Sequence, residues 1–251
     1  MNRLLKFLSV AAFWLLVWEG LALLVGKELL LPAPPVVLCR LAELAATAEF
    51  WRTVGYSLLR IACGVLGAVT LGTALAVMTA HSRLMKALLG PPLAVIKATP
   101  VASFIILALL WMGRDILPAF ISALVVLPVV WTNVETGIRE TDRELLEVAR
   151  VFRFSRAKTV ARVYVPSVLP YFAAACRASI GMGWKAGIAA EVLTVPLLSI
   201  GKRIYESKLY WETADLFAWT VVVILCSLAI EKLLMAAVAR FERRGTETAH
   251  D

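Results

Sequence analysis

The stretch Gly137–Pro170, GIRETDRELLEVARVFRFSRAKTVARVYVPSVLP, decides how this chain is read. It is a basic, charge-rich passage between two long apolar ones. Thr141 followed by Glu144 has the form of a capping box, which predicts a helix beginning at Asp142. Leu145, Leu146, Ala149 and Phe152 then fall at helical spacing with charges between them, the pattern of a short amphipathic helix. Ser155 offers a second N-cap ahead of a helix over Arg156–Val165, and Pro166 and Pro170 predict a restart into the next apolar segment. Two short helices joined by a tight bend would make a compact knob, suited to a groove on a partner or to a membrane surface.

On either side of this passage the solvent is lipid. Of 251 residues 61% are apolar and 18% charged, and mean hydropathy is +0.81, against about 45–50% apolar and about a quarter charged in soluble domains. The apolar residues gather into stretches of about 20, the length that crosses a hydrocarbon core. Spans are expected at Phe7–Val25, Val54–Ala80, Leu93–Met112, Ile116–Thr136, Val168–Ala190 and Thr213–Ala239. The first run is too long for a signal peptide and contains Glu19. The expected architecture is therefore all-α: a polytopic membrane protein of about six transmembrane helices, with residues 1–251 forming one transmembrane domain.

Six spans place both termini on one side, and the basic residues say which. Arg3, Lys6, Arg83, Lys86, the arginines and lysine of the Gly137–Pro166 loop, Arg240, Arg243 and Arg244 fall together. Only Lys27, Arg40, Arg52, Arg114, Lys202, Arg203 and Lys208 face them. Since basic loops stay in the cytoplasm, the termini and the 137–166 loop are read as cytoplasmic. The net charge of +8 is the same signal, with anionic lipid as its partner rather than nucleic acid.

Within the spans two stripes of small residues recur every four positions: Gly64, Ala68, Gly72 and Ala76, then Ala175, Ser179, Gly183 and Gly187. Such stripes let helices approach closely in lipid, and static packing is the favoured reading over sliding faces. Ionisable groups at membrane depth mark candidate function. Lys185, with Lys97, is read as favouring an anion in a translocation pathway, and Glu191 as shaping an outer gate. The alternative is a structural Lys185–Glu191 pair. Arg60, Asp215 and Glu231 are read as snorkelling or pairing near span ends.

Several chemistries are missing from the sequence. No G-x-x-x-x-G-K-[ST], H-E-x-x-H or G-x-S-x-G occurs. Histidine is confined to His81 and His250, and the four cysteines are scattered, so neither a metal site nor a disulfide framework is expected. The chain is read as a transporter that takes its energy from another subunit or a gradient, not as an enzyme.

At this point the loop resembles a known family. Integral membrane subunits of ATP-binding-cassette importers carry a cytoplasmic signature: E-A-A, three residues, G, nine residues, then I-x-L-P. Here Glu147-Val148-Ala149 is followed by three residues, Arg153, nine residues and Val163-Tyr164-Val165-Pro166. The segments LLEVAR, VLPYFAAACRASIGMGW, Ala189–Glu191 and ARFERR look like the branch that imports nitrate, taurine and alkanesulfonates. The resemblance implies a type I importer permease whose loop is a coupling helix docked on a separate ATPase. That docking face would comprise Leu145, Leu146, Glu147, Val148, Ala149, Phe152, Arg153, Val163 and Pro166. It further implies a second permease copy in a homodimer, an extracytoplasmic solute-binding protein, residence in the cytoplasmic (inner) membrane, and ATP with Mg held by the ATPase rather than by this chain. The one departure is Arg153 where the family has its bend glycine, so the bend is expected either to take another conformation or to be compensated by the docked partner. The rival readings are a gradient-driven secondary transporter, a non-transporting scaffold, or a permease of the same family importing a vitamin precursor such as a pyrimidine.

Overall fold

A computed structural model describes residues 3–247; His250 lies outside them. Among the described residues every regular element is helical: α1 (Arg3–Val25), α2 (Pro34–Ala45), α3 (Ala48–His81), α4 (Arg83–Ala98), α5 (Val101–Ala108), α6 (Leu117–Arg139), α7 (Arg143–Val151), α8 (Arg156–Thr159), α9 (Val165–Thr194), α10 (Ile200–Leu209) and α11 (Thr213–Glu247). A π-helical turn, Val160–Tyr164, joins α8 to α9.

The core is a three-helix stack with α6 between α3 and α9. Both small-residue stripes lie in these two contacts, and all eight residues are buried. A Cβ on Gly72 would stand 3.2 Å from the Leu127 carbonyl oxygen and the Val130 Cβ of α6; one on Gly183 would stand 2.7 Å from Val126 Cγ2. The gap is closed by polar bonds as well. Ser122 Oγ on α6 donates to the Gly183 carbonyl at 3.0 Å, and Trp131 Nε1 donates to Thr79 Oγ1 at 2.9 Å. These are close-packed faces, as static packing requires.

Outside the stack α1 and α11 present apolar side chains outward, Leu16, Leu23, Leu24, Leu228 and Leu233 among them. Trp18 of α1 stacks on Phe217 of α11 at 5.8 Å and donates to the Pro32 carbonyl at 3.1 Å.

The span expected at Leu93–Met112 is not one straight helix. α4 and α5 meet at 105°. The cause is local: Pro100 disfavours the α conformation at the preceding residue, and Thr99 is accordingly extended at φ −83°, ψ 130°. By length and composition Ala48–His81, Leu117–Arg139 and Thr213–Leu233 can each cross a bilayer, a fourth crossing arising if the bent pair counts as one. The apolar part of α1, Ser9–Val25, is shorter, and the 30-residue α9 carries Arg177, Lys185 and Glu191. The all-helical expectation is met, while the count of six spans is not reproduced by length and composition.

Candidate functional site: the α7 knob and the Glu191 clamp

α7 begins one residue later than a Thr141 cap would place it. Asp142 Oδ1 accepts from the Glu144 backbone N–H at 2.8 Å, whereas the Thr141 hydroxyl donates back to the Gly137 carbonyl at 3.1 Å. The Thr141 hydroxyl closes α6, and the Asp142 carboxylate starts α7.

The far end of α7 is a Schellman turn. Arg153 N–H bonds to the Arg150 carbonyl at 3.0 Å and Phe154 N–H to the Ala149 carbonyl at 2.9 Å, which requires a left-handed residue after the cap. Arg153 takes that conformation at φ 51°. The bend expected of a glycine is therefore made by arginine, at a cost of about 1–2 kcal/mol for its Cβ. Ser155 then caps α8, accepting from Lys158 N–H at 3.3 Å, and Lys158 Nζ lies 4.1 Å from the centre of the Phe154 ring.

Pro166 does not break the chain before α9. A proline lacks the N–H of an ordinary helical turn and crowds the carbonyl four residues back; here the backbone widens, and Val165 N–H bonds to the Val160 carbonyl five residues back. The second short helix is thus the near end of one continuous helical rod running from Arg156 to Thr194. α7 is joined to that rod through the bend at 152–155.

Ala149 and Val163 are buried at 3% and 6%, forming the inside of the knob, and Leu146 is half-buried. Leu145 and Val148 are each 49% exposed, Phe152 70% and Val151 78%. Glu147, Arg153 and Pro166 are exposed. Val151 is the most open apolar residue of the patch and is missing from the sequence-level candidates, although its position three after Val148 sets it on the same face. Behind the knob Glu135 on α6, 12% exposed, bridges Lys86 of α4 at 3.0 Å and Arg139 at 2.8 Å. That pair joins the bent α4–α5 segment to the root of the loop.

The opposite end of the stack holds a closed ionic clamp. Glu191 is fully buried. Its Oε1 meets Arg60 Nη1 at 2.8 Å, and its Oε2 accepts from Ser57 Oγ at 2.8 Å and from Gly201 N–H at 3.1 Å. Ser57 Oγ also accepts from Ile200 N–H at 2.9 Å, and Arg60 Nη2 donates to the Leu197 carbonyl at 3.2 Å. The carboxylate thereby caps α10 and ties α3, α9 and the 195–199 turn together. Val195 and Leu198 in that turn hold positive φ values of 49° and 47°. The suggested Lys185–Glu191 pair does not form. Six helical positions rotate two side chains apart by about 240°, and Lys185 is exposed while Glu191 faces the core. Lys97 is exposed at the end of α4, beside the bend.

Long apolar helices and a capped polar knob are those of an integral membrane protein, and comparison with known proteins gives its family. Residues 68–246 match the model for the binding-protein-dependent transport system inner membrane component, and the chain belongs to that family. Its relatives include a Bacillus subtilis protein described as an aliphatic sulfonates transport permease, SsuC, 26% identical over 96% of this chain and 86% of that one. The bicarbonate transport system permease CmpB of Synechococcus elongatus is 26% identical, and the nitrate import permease NrtB of Leptolyngbya laminosa 29%, each over 74% of this chain and 66% of theirs. A crystal structure of an amino acid ABC transporter with histidines shares the fold at a TM-score of 0.56 and 18% identity, covering 76% of this chain and 90% of that one. The protein is a permease of the binding-protein-dependent ABC family, and the relatives above are named for aliphatic sulfonates, bicarbonate and nitrate.

Proposed function

We propose that this permease moves a small anion inward at the expense of ATP hydrolysed by a separate ATPase, which grips the α7 knob. The observation that carries the reading is the exposed row Leu145, Val148, Val151 and Phe152, on and just after a helix fixed by a cap at each end and joined by the Arg153 bend to the rod that contains α9. A knob of exposed apolar residues rimmed by charge fits a groove on a soluble partner. Residues 1–251 act as one domain, and the termini and the knob face the cytoplasm, in keeping with the excess of basic residues there. Two copies surround the pathway, and an extracytoplasmic binding protein delivers solute at the Glu191 end. ATP and Mg belong to the ATPase; this chain contributes no phosphate-binding loop. Membership in a binding-protein-dependent family supports the ATP-driven reading over the gradient-driven one.

Lys185 and Lys97, exposed on α9 and α4, supply the positive potential an anion needs along a low-dielectric route. Glu191 acts at the outer end as the clamp that sets α10. The relatives named for sulfonate, nitrate and bicarbonate define the class of solute to be tried. In proteoliposomes containing the permease, its ATPase and its binding protein, uptake of one of these anions is expected only with ATP inside the compartment that holds the ATPase. Uptake that persists without the ATPase contradicts the proposal.

A further inference from the structure

A polar cavity lies away from the knob, between α2, the first turns of α3 and α11, and α10. Its volume is about 410 Å³, within the range of small-ligand pockets. Four carboxylates, Glu49, Glu206, Glu212 and Asp215, line it with two guanidiniums, Arg40 and Arg203. The arginines are already engaged. Arg40 bonds Asp215 and, at 2.8 Å, Glu43; Arg203 pairs with Glu49 and, at 3.7 Å, with Glu206, whose other oxygen stands 3.5 Å from Lys202 Nζ. The lining thus keeps an excess of acceptors over donors, and an anionic solute is a poor occupant.

At its base is an unpartnered hydroxyl. Thr53 is fully buried, lines the cavity, and its Oγ1 has no hydrogen-bond partner. Elsewhere in the long helices Thr73, Thr79, Thr132, Thr194 and Thr220 donate to the carbonyl one turn back. Thr53 does not, and an orphaned buried hydroxyl costs free energy unless something reaches it.

Depth narrows the ligand. Phe50 and Thr53 begin one membrane-crossing helix, and Asp215 and Trp219 begin another. Trp51, Tyr210 and Trp211 are exposed at the same end, and such aromatics sit at lipid headgroup level. The cavity is therefore at the height of the headgroups. Its stacked Phe50–Trp219 pair, with ring centres 5.2 Å apart, forms an apolar wall suited to an alkylammonium group.

We propose that this cavity binds the zwitterionic headgroup of phosphatidylethanolamine. The ammonium enters beside Glu212 and the Thr53 hydroxyl, donating its N–H groups to them, and competes with Lys202 and Arg203 for Glu206. The phosphate rests against the outer edges of Arg40 and Arg203, whose side chains remain 40% and 34% exposed. Phosphatidylcholine has the same charges but no N–H to donate, and binds less well.

The purified permease in nanodiscs of phosphatidylethanolamine and phosphatidylglycerol is treated with a water-soluble carbodiimide, which joins carboxylates to nearby primary amines. Lipid adducts are expected on Glu206 or Glu212, and peptide mass spectrometry locates them. Matched phosphatidylcholine discs should give none there, and their cavity carboxylates should couple instead to added glycinamide. Native mass spectrometry should show phosphatidylethanolamine retention falling about tenfold in Thr53→Val or Glu212→Gln, the effect of losing a hydrogen bond to a charged group. Equal glycinamide labelling in both discs, adducts confined to other carboxylates, or unchanged retention in both variants would each overturn the proposal.

Discussion

Arg60 of α3 and Glu191 of α9 stand 2.8 Å apart with the carboxylate fully buried. A buried ion pair adds little net stability over an apolar pair, but removing one partner strands the other charge and costs about 3–5 kcal/mol. Arg60→Met should therefore lower the thermal midpoint of the detergent-solubilised protein strongly. Arg60→Met combined with Glu191→Gln should recover much of the loss. Equal destabilisation by the single and double variants would show that the pair is not the element being broken.

Gly183→Val tests the packed stripes. A Cβ there already meets Val126 Cγ2 at 2.7 Å, and overpacking of a close interface costs about 1–3 kcal/mol. The expected reading is a lower unfolding midpoint. Gly181, with nothing near its Cβ position, serves as control: Gly181→Ala should leave the midpoint unchanged or raised.

Arg153→Gly should steady the knob. The left-handed turn costs a residue with a Cβ about 1–2 kcal/mol, so the substitution should slow hydrogen exchange of the Arg153 and Phe154 amides that close the Schellman turn. Arg153→Val, with a branched Cβ at φ 51°, should speed it. The opposite order would mean that the bend in solution is not left-handed.

Much of the knob was readable from the sequence because its determinants are local: Ser155 caps as expected, and the motif spacing located the bend. The misreadings have specific causes. Thr141 and Asp142 are both capping residues, and only the tertiary demand of α6's end decides between them. Pro166 was expected to mark a restart, but a π turn absorbs a proline without ending a helix. The 105° break lay in view at Thr99-Pro100, inside an apolar run long enough to pass for a span. The Arg60–Glu191 clamp joins residues 131 apart and depends on how α3 and α9 sit around α6, which helical periodicity does not contain. That Glu191 avoids Lys185, by contrast, follows from counting turns.

Lys185→Met probes the pathway. If its charge draws an anion, uptake of the transported anion should fall several-fold, with assembly and the unfolding midpoint preserved, since the side chain is exposed. Unchanged uptake and selectivity would remove Lys185 from the pathway.

On our proposal the ATPase grips the exposed row on α7. Leu146 is half-buried, so changing it would confuse folding with docking; Val148 and Phe152, at 49% and 70% exposure, do not have that difficulty. The direct measurement is binding-protein-stimulated ATP hydrolysis by the reconstituted transporter carrying Val148→Asp and Phe152→Asp together, with ATPase retention followed by co-purification. The expected result is a folded permease of unchanged unfolding midpoint that no longer retains the ATPase and shows no stimulation. Wild-type retention and stimulation in that variant would contradict the proposal.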